Sequence, residues 1–331
     1  MVRTTKLTTL LAASVFTVAG FSANAADFTL KLAHVLTADQ PSAIAAERVA
    51  KEVAEKSGGR LEIQILPAGQ LGSDVEIIEQ IQMNSVQIGF PPTAKLGNFE
   101  PRMQLTDLPF IFPTRTALEA VLDGDVGEEL LAGLDKQGLK GICFWGSGYK
   151  QITTSVRPIA KVEDLKGIKM RTMQSPLIIA QYKAWGSNPI PISFGETYNA
   201  LQQGVAEAQE NSLVTIDKMK FYEVQKYLAH TNHAYLAYAM IINAKAWKKL
   251  PADLQKILAD ALMAGRDWSR DETDRQDGIL IEKFRKALKV QELSKEARDG
   301  FVKASLAVHA EFADVITRDL LDRAYKAIEG K

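Results

Sequence analysis

The sequence predicts an α/β protein built as two lobes. Short runs of alternating apolar residues are interleaved with stretches at helical spacing. That succession occurs twice, once from Phe28 and again after Gly148, and 331 residues is long enough for two domains.

In the first set, Phe28, Leu30 and Leu32 alternate with Thr29 and Lys31, a strand that runs out at His34. Pro41 then opens a helix in which Ala45, Val49 and Val53 recur every four residues, and Gly58-Gly59 closes it. Leu61, Ile63 and Ile65 alternate as a second strand, residues 73–84 form an amphipathic helix, and Val86, Ile88 and Phe90 alternate as a third strand. This βαβαβ order implies a parallel sheet with right-handed crossovers. The second set places strands at 167–172, 190–192 and 205–210, with helices at 176–185 and 196–203 between them.

Between the sets there is no Ser/Gly linker, repeat or low-complexity tract, so crossing strands are expected to join the lobes. Residues 251–289 contain no internal proline after Pro251 and carry Leu254, Ile257, Leu258 and Leu262 at helical spacing. As one helix this stretch would extend about 55 Å, so it either bridges both lobes or breaks near Gly265 or Gly278. A bridging helix, kinked at most, is the expectation.

The first residues indicate export. Arg3 and Lys6 precede an apolar run that falls short of the ~20 residues needed to span a bilayer, and Ala23-Asn24-Ala25 offers a small-x-small cleavage site. Residues 1–25 are therefore expected to be a signal peptide, the mature chain to begin at Ala26 or Asp27, and the product to be soluble in the periplasm. A lone cysteine, Cys143, excludes an intramolecular disulfide, so stability must come from a large apolar core. Loss of the leader leaves 38 basic against 40 acidic residues, which points away from nucleic acid and from anionic membrane surfaces.

In open α/β sheets, ligands bind beyond the carboxyl ends of the strands. The residues found there are His34, the segment 90–93, Arg171 and Asn211. Arg171 carries the sharpest expectation, since a guanidinium fixed at a strand end offers a planar fork that matches a carboxylate; an interlobe salt bridge is the plain alternative. His230 and His233 have i, i+3 spacing, but no third ligand stands at a recognisable distance, so they read as hydrogen-bonded structural histidines rather than a metal site. Gly146-Ser147-Gly148 lacks the frame of a phosphate loop, no nucleophile elbow occurs, and Cys143 lies in an apolar run as an inert thiol. Trp145, Tyr149, Phe194 and Tyr238 could line a cleft or simply pack a core. No cofactor motif is present.

Several segments resemble one family. Asp164 to Arg171, Asn188 to Phe194, Glu196 to Gln202, the Ala208-Gln-Glu-Asn211 run, Lys220 to Lys226, Leu32-Ala-His34 and Leu66 to Gly72 together look like the solute-binding subunits of tripartite ATP-independent periplasmic (TRAP) transporters, the DctP family. The resemblance covers essentially the whole mature chain. It implies a type II periplasmic-binding-protein fold: two α/β lobes closed by a hinge around the ligand, with a long helix spanning both. Lobe I would comprise residues 27–148 and 237–276, and lobe II residues 149–236 and 277–331. The family's carboxylate-gripping arginine falls on Arg171 and a second, variable basic position on Lys150, where lysine keeps the charge and loses the bidentate fork. Its polar residue on the Gln-Glu-Asn strand falls on Asn211 and its aromatic on Phe194. Gln174 is placed to reach a ligand hydroxyl, with His34, Tyr149, His233 and Tyr238 completing the expected set. A glutamate used by sialic-acid members corresponds to Pro92, which argues against that substrate. The implied function is capture of a small carboxylate, a sugar acid or C4-dicarboxylate, by a monomer that delivers it to the two membrane subunits of a TRAP permease. Two other readings of the residues stand beside it: a secreted lyase or hydrolase using His34 or His233 as base, and a sensory binding protein.

Overall fold

Residues 26–331 are described by the computed structural model, so the expected leader lies outside the described residues. The first alternation gives β1 (Phe28–Ala33), α1 (Pro41–Lys56), β2 (Leu61–Leu66), α2 (Asp74–Gln82) and β3 (Ile88–Gly89). β1 pairs in parallel with β2 on one side and β3 on the other. Pro41 occupies the first turn of α1, and α2 starts with a capping box in which Ser73 and Glu76 satisfy each other's backbone N–H. β3 is shorter than the alternation suggests, because Pro91 and Pro92 have no N–H to offer a ladder.

After α3 (Thr93–Leu96) comes a 3-10 segment, Pro101–Asp107, followed by α4 (Arg115–Leu122) and α5 (Asp125–Gly133). The chain then enters β4 (Leu139–Thr154), a 16-residue strand. Lobe two supplies β5 (Lys169–Thr172), α6 (Pro176–Ala184), β6 (Asn188–Pro191), α7 (Thr197–Gln202) and β7 (Ala208–Ser212). The remainder is α8 (Leu213–Lys218), β8 (Tyr227–His230), β9 (Tyr235–Asn243), α9 (Ala244–Lys249), α10 (Ala252–Ala287), β10 (Lys289–Glu292), α11 (Lys295–Ile316) and α12 (Arg318–Ile328).

β7 begins later than its apolar pattern suggests. Gly204 is left-handed and the Ala206 N–H closes onto Ala200, so half-exposed Val205 sits in a turn and Asn211 lies inside the strand rather than after it. β5 is flanked in parallel by β6 and β7, repeating the arrangement of β2, β1 and β3. All the strands form one sheet in the order β2-β1-β3-β9-β4-β7-β5-β6, with β8 and β10 attached beside β4.

β4 joins the halves. Residues 139–146 pair antiparallel with β9, whereas residues 150–154 pair with β7, and residues 152–154 also with β8. The register slips between Gly146 and Tyr149, where Gly148 takes a φ of +94°; a side chain there would meet Asp277 Oδ2 at 2.9 Å. The proposed lobe boundaries at 148/149, 236/237 and 276/277 fall inside β4, β9 and α10.

α10 runs unbroken for 36 residues through both of its glycines. It packs on α1 and β4 at one end and reaches α8 and β10 at the other. Gly265 makes that approach possible: an added Cβ would stand 2.7 Å from Val49 and 2.8 Å from the Trp145 ring, whose indole N–H donates to the Leu262 carbonyl at 3.0 Å. Cys143 is buried nearby, and burial pushes its thiol up to about 12, so it is inert. The close approach predicts that Gly265→Leu destabilises the protein by about 1–3 kcal/mol through overpacking, read as a lower denaturation midpoint in urea at unchanged slope.

Candidate functional site

The parallel strands of the two lobes end facing one cavity. His34 follows β1, Phe90 and Pro92 follow β3, Arg171 lies on β5, Phe194 follows β6 and Asn211 lies on β7. This is the carboxyl-edge placement that ligands favour in open α/β sheets. Tyr238 on β9 closes the floor, with the Phe90 ring 5.0 Å from His34 and 5.9 Å from Tyr238.

Arg171 is wholly buried. Its Nε and Nη2 donate to the Ile192 carbonyl at 3.1 and 2.8 Å, a fork that fixes the guanidinium plane. Nη1 is buried and has no hydrogen-bond partner, and no carboxylate among the described residues lies within ion-pair distance of the group. Burial lowers its pKa to about 10, so it stays cationic at neutral pH. Register puts Arg171 opposite Gln209, which lies two residues before Asn211 on the same face of β7. The Asn211 amide donates to Gln209 Oε1 at 2.7 Å, and its own Oδ1 is left as a buried acceptor with no donor.

The first lobe contributes a neutral donor and an ion pair. His34 Nδ1 accepts the Leu36 N–H at 3.2 Å, which leaves the proton on Nε2, and burial lowers the ring to about 4. Lys95 on α3 meets Asp74, the first residue of α2, at 2.7 Å with both side chains at most 5% exposed. Nothing in the sequence singled out this pair: Asp74 reads as an ordinary first-turn acid and Lys95 as a surface lysine.

Four expected site residues stand elsewhere. Lys150 is not a second clamp in the cavity but the centre of a buried network, with Nζ 3.3 Å from Asp107 and 3.2 Å from Glu210. His233 belongs to that network, its Nε2 2.7 Å from Glu210 Oε2 and its Nδ1 2.7 Å from the Thr231 hydroxyl, with Tyr182 also donating to Glu210. Burial would raise the Glu210 carboxyl, but Lys150 and His233 beside it bring it down to about 2. Burial and the neighbouring Glu210 push Asp107 up, so Glu210 is the principal counter-ion. Tyr149 lines a separate groove with Gln151, His230 and Asp277. Gln174 reaches the first lobe through its backbone, whose carbonyl accepts from Asn98 at 2.9 Å, while its Oε1 is buried and unpaired. His230 ends β8 and pairs with Glu292, so the helical face that would bring it beside His233 does not form.

Comparison with known proteins places this geometry in a class. The profile of bacterial extracellular solute-binding proteins, family 7 (DctP), matches residues 32–314. The C4-dicarboxylate-binding protein DctB of Bacillus subtilis is 35% identical over 88% of this chain and 84% of its own. Among solved structures, a TRAP periplasmic solute-binding protein of Sulfurospirillum deleyianum with bound succinate superposes with a TM-score of 0.87 at 35% identity, covering 92% of this chain and all of that one. The sugar-acid-binding protein DctPAm of Advenella mimigardefordensis with galactonate gives a TM-score of 0.88 at 29% identity, covering 91% and 97%. The fold is thus the two-lobe type II fold of periplasmic binding proteins. The chain belongs to the DctP family of TRAP solute-binding subunits, a family of transport proteins rather than enzymes. Among the described residues no helix is long and apolar enough to cross a membrane.

Two predictions follow from these ionisations. His34 is harder to protonate folded than unfolded, so the stability it contributes is complete above its ordinary value near 6.5 and falls as pH drops towards about 4, by about 3 kcal/mol at the low end. Buried His233 shifts in the same direction, so acid titration of the ligand-free protein should show stability falling from pH 6.5, less steeply in His34→Gln. Lys150→Met should cost about 3–5 kcal/mol, because it leaves Glu210 buried without its ammonium, and pairing it with Glu210→Gln should recover part of that loss.

Proposed function

We propose that the chain captures a small organic acid between its lobes and delivers it to the membrane subunits of a TRAP permease. The observation that carries the reading is the buried, unpaired Nη1 of Arg171 beside a cavity between the lobes. A buried cation without a counter-ion is costly, and a carboxylate brought in from outside removes that cost while forming a charge-assisted bond strengthened by the exclusion of water. Asn211 Oδ1, still lacking a donor, suits a ligand hydroxyl or a protonated group beside the carboxylate.

Closure about β4, β9 and α10 couples capture to shape. Asn98 donating to the Gln174 carbonyl, and Lys218 3.5 Å from Asp39, join the lobes at the mouth, and a ligand favours the closed form by binding it more tightly than the open one. Export to the periplasm and action as a monomer belong to the same reading, as does the absence of turnover. In support of the last, the ring nitrogens a general base would need are occupied: His34 Nδ1 by Leu36, and both nitrogens of His233 by Glu210 and Thr231. The relatives found with succinate and with galactonate share a carboxylate, which is what Arg171 is fitted to hold.

Thermal-shift screening of organic acids, followed by titration calorimetry, tests the proposal. A ligand at 100 times its Kd should stabilise the protein by about 2.7 kcal/mol. Arg171→Ala should weaken that ligand at least about 30-fold, roughly 2 kcal/mol, and affinity kept within about threefold would refute the central role of Arg171.

A further inference from the structure

We infer that Lys95, positioned by Asp74, is a second ligand-holding cation, and that the site selects acids with an oxygen function at the end remote from the carboxylate. The inference rests on the carboxylate-capture reading above and concerns the opposite wall of the same cavity.

The wall built by the first lobe is mostly apolar, with Leu36, Phe90 and Pro92 among its residues; its polar groups are His34, Asp74, Lys95 and the Tyr238 hydroxyl. Lys95 is 1% exposed, yet its ammonium has three N–H donors and forms one hydrogen bond among the described residues, to Asp74 Oδ2 at 2.7 Å. Lys150, inside its structural network, has two of its three donors taken by carboxylates, whereas Lys95 gives one to Asp74 and faces the cavity with the other two. Asp74 holds the ammonium in place and cancels its charge in the empty site, so the lysine can face the cavity without the penalty of an isolated ion.

Arg171 comes from β5 and Lys95 from α3, on opposite lobes, and Arg171 and Asp74 do not form an ion pair. A ligand held only by Arg171 touches the second lobe and does little to favour closure. One that also reaches Lys95 spans the cleft and ties its binding energy to the closed form. The recognised chemistry is a distal oxygen acceptor, either a second carboxylate or a terminal hydroxyl.

Calorimetry with three four-carbon acids separates the possibilities: succinate, erythronate and butyrate, which has no distal oxygen. The wild-type protein should bind succinate, erythronate or both at least about tenfold more tightly than butyrate. Lys95→Met should abolish that preference and leave butyrate within about threefold of its wild-type affinity. The double variant Lys95→Met/Asp74→Asn, which leaves no unpaired carboxylate, keeps the test open if the single variant fails to fold. A loss confined to succinate assigns a carboxylate to Lys95, one confined to erythronate assigns a hydroxyl, and either supports the inference. Equal losses for all three acids, no loss for any, or butyrate bound as tightly as the others would overturn it while leaving Arg171 as the carboxylate site. No binding of any acid by the wild type would instead count against the carboxylate reading itself.

Discussion

A guanidinium buried at the end of β5 and braced against the Ile192 carbonyl sets the terms for the rest of the molecule. Holding a full charge away from water, with one nitrogen unpaired, is unfavourable in isolation. The large apolar cores of two lobes offset it, and the cavity in front of it makes that unpaired donor useful. The neighbouring groups are arranged so as not to neutralise it: Glu210 lies close enough to help keep it protonated, yet its own oxygens are committed to Lys150, His233 and Tyr182.

This division of charge explains why two basic residues with similar sequence credentials differ so much in setting. Lys150 on β4 faces two carboxylates and is consumed by them, whereas Arg171 faces a backbone carbonyl and a cavity. The ionic network around Lys150 ties β4, β7, the segment before β9 and the 3-10 turn ending at Asp107 into one buried unit directly behind the site. Its rigidity keeps Asn211, the next residue along β7 from Glu210, fixed with respect to Arg171.

Most of the parallel βαβ framework was legible because its signals are local. Alternation marked β1 and β2, and Pro41 and Gly58 marked the ends of α1. The missing parts depend on tertiary neighbours. β4 is largely buried, so its apolar residues run on without a period, and Gly146 and Gly148 are required by the approach of Tyr235 and α10. Within the site, Arg171, Asn211 and His34 could be found because strand ends can be located from pattern, while Phe194 and Tyr238, which also line the cavity, followed from the family resemblance. Asp74 and Lys95 could not be read that way: each has an unremarkable local role, and only the fold turns them towards the same space.

β4 also has a bearing on how the protein comes apart. A single strand whose first half is hydrogen-bonded in one lobe and whose second half is bonded in the other denies either lobe a complete sheet of its own. Fraying on one side exposes ladder bonds on the other, and α10 adds the same dependence through side-chain packing. The two halves should therefore melt as one cooperative unit, so that cargo gripped in the cleft protects even the most distant helix from local opening and proteolysis.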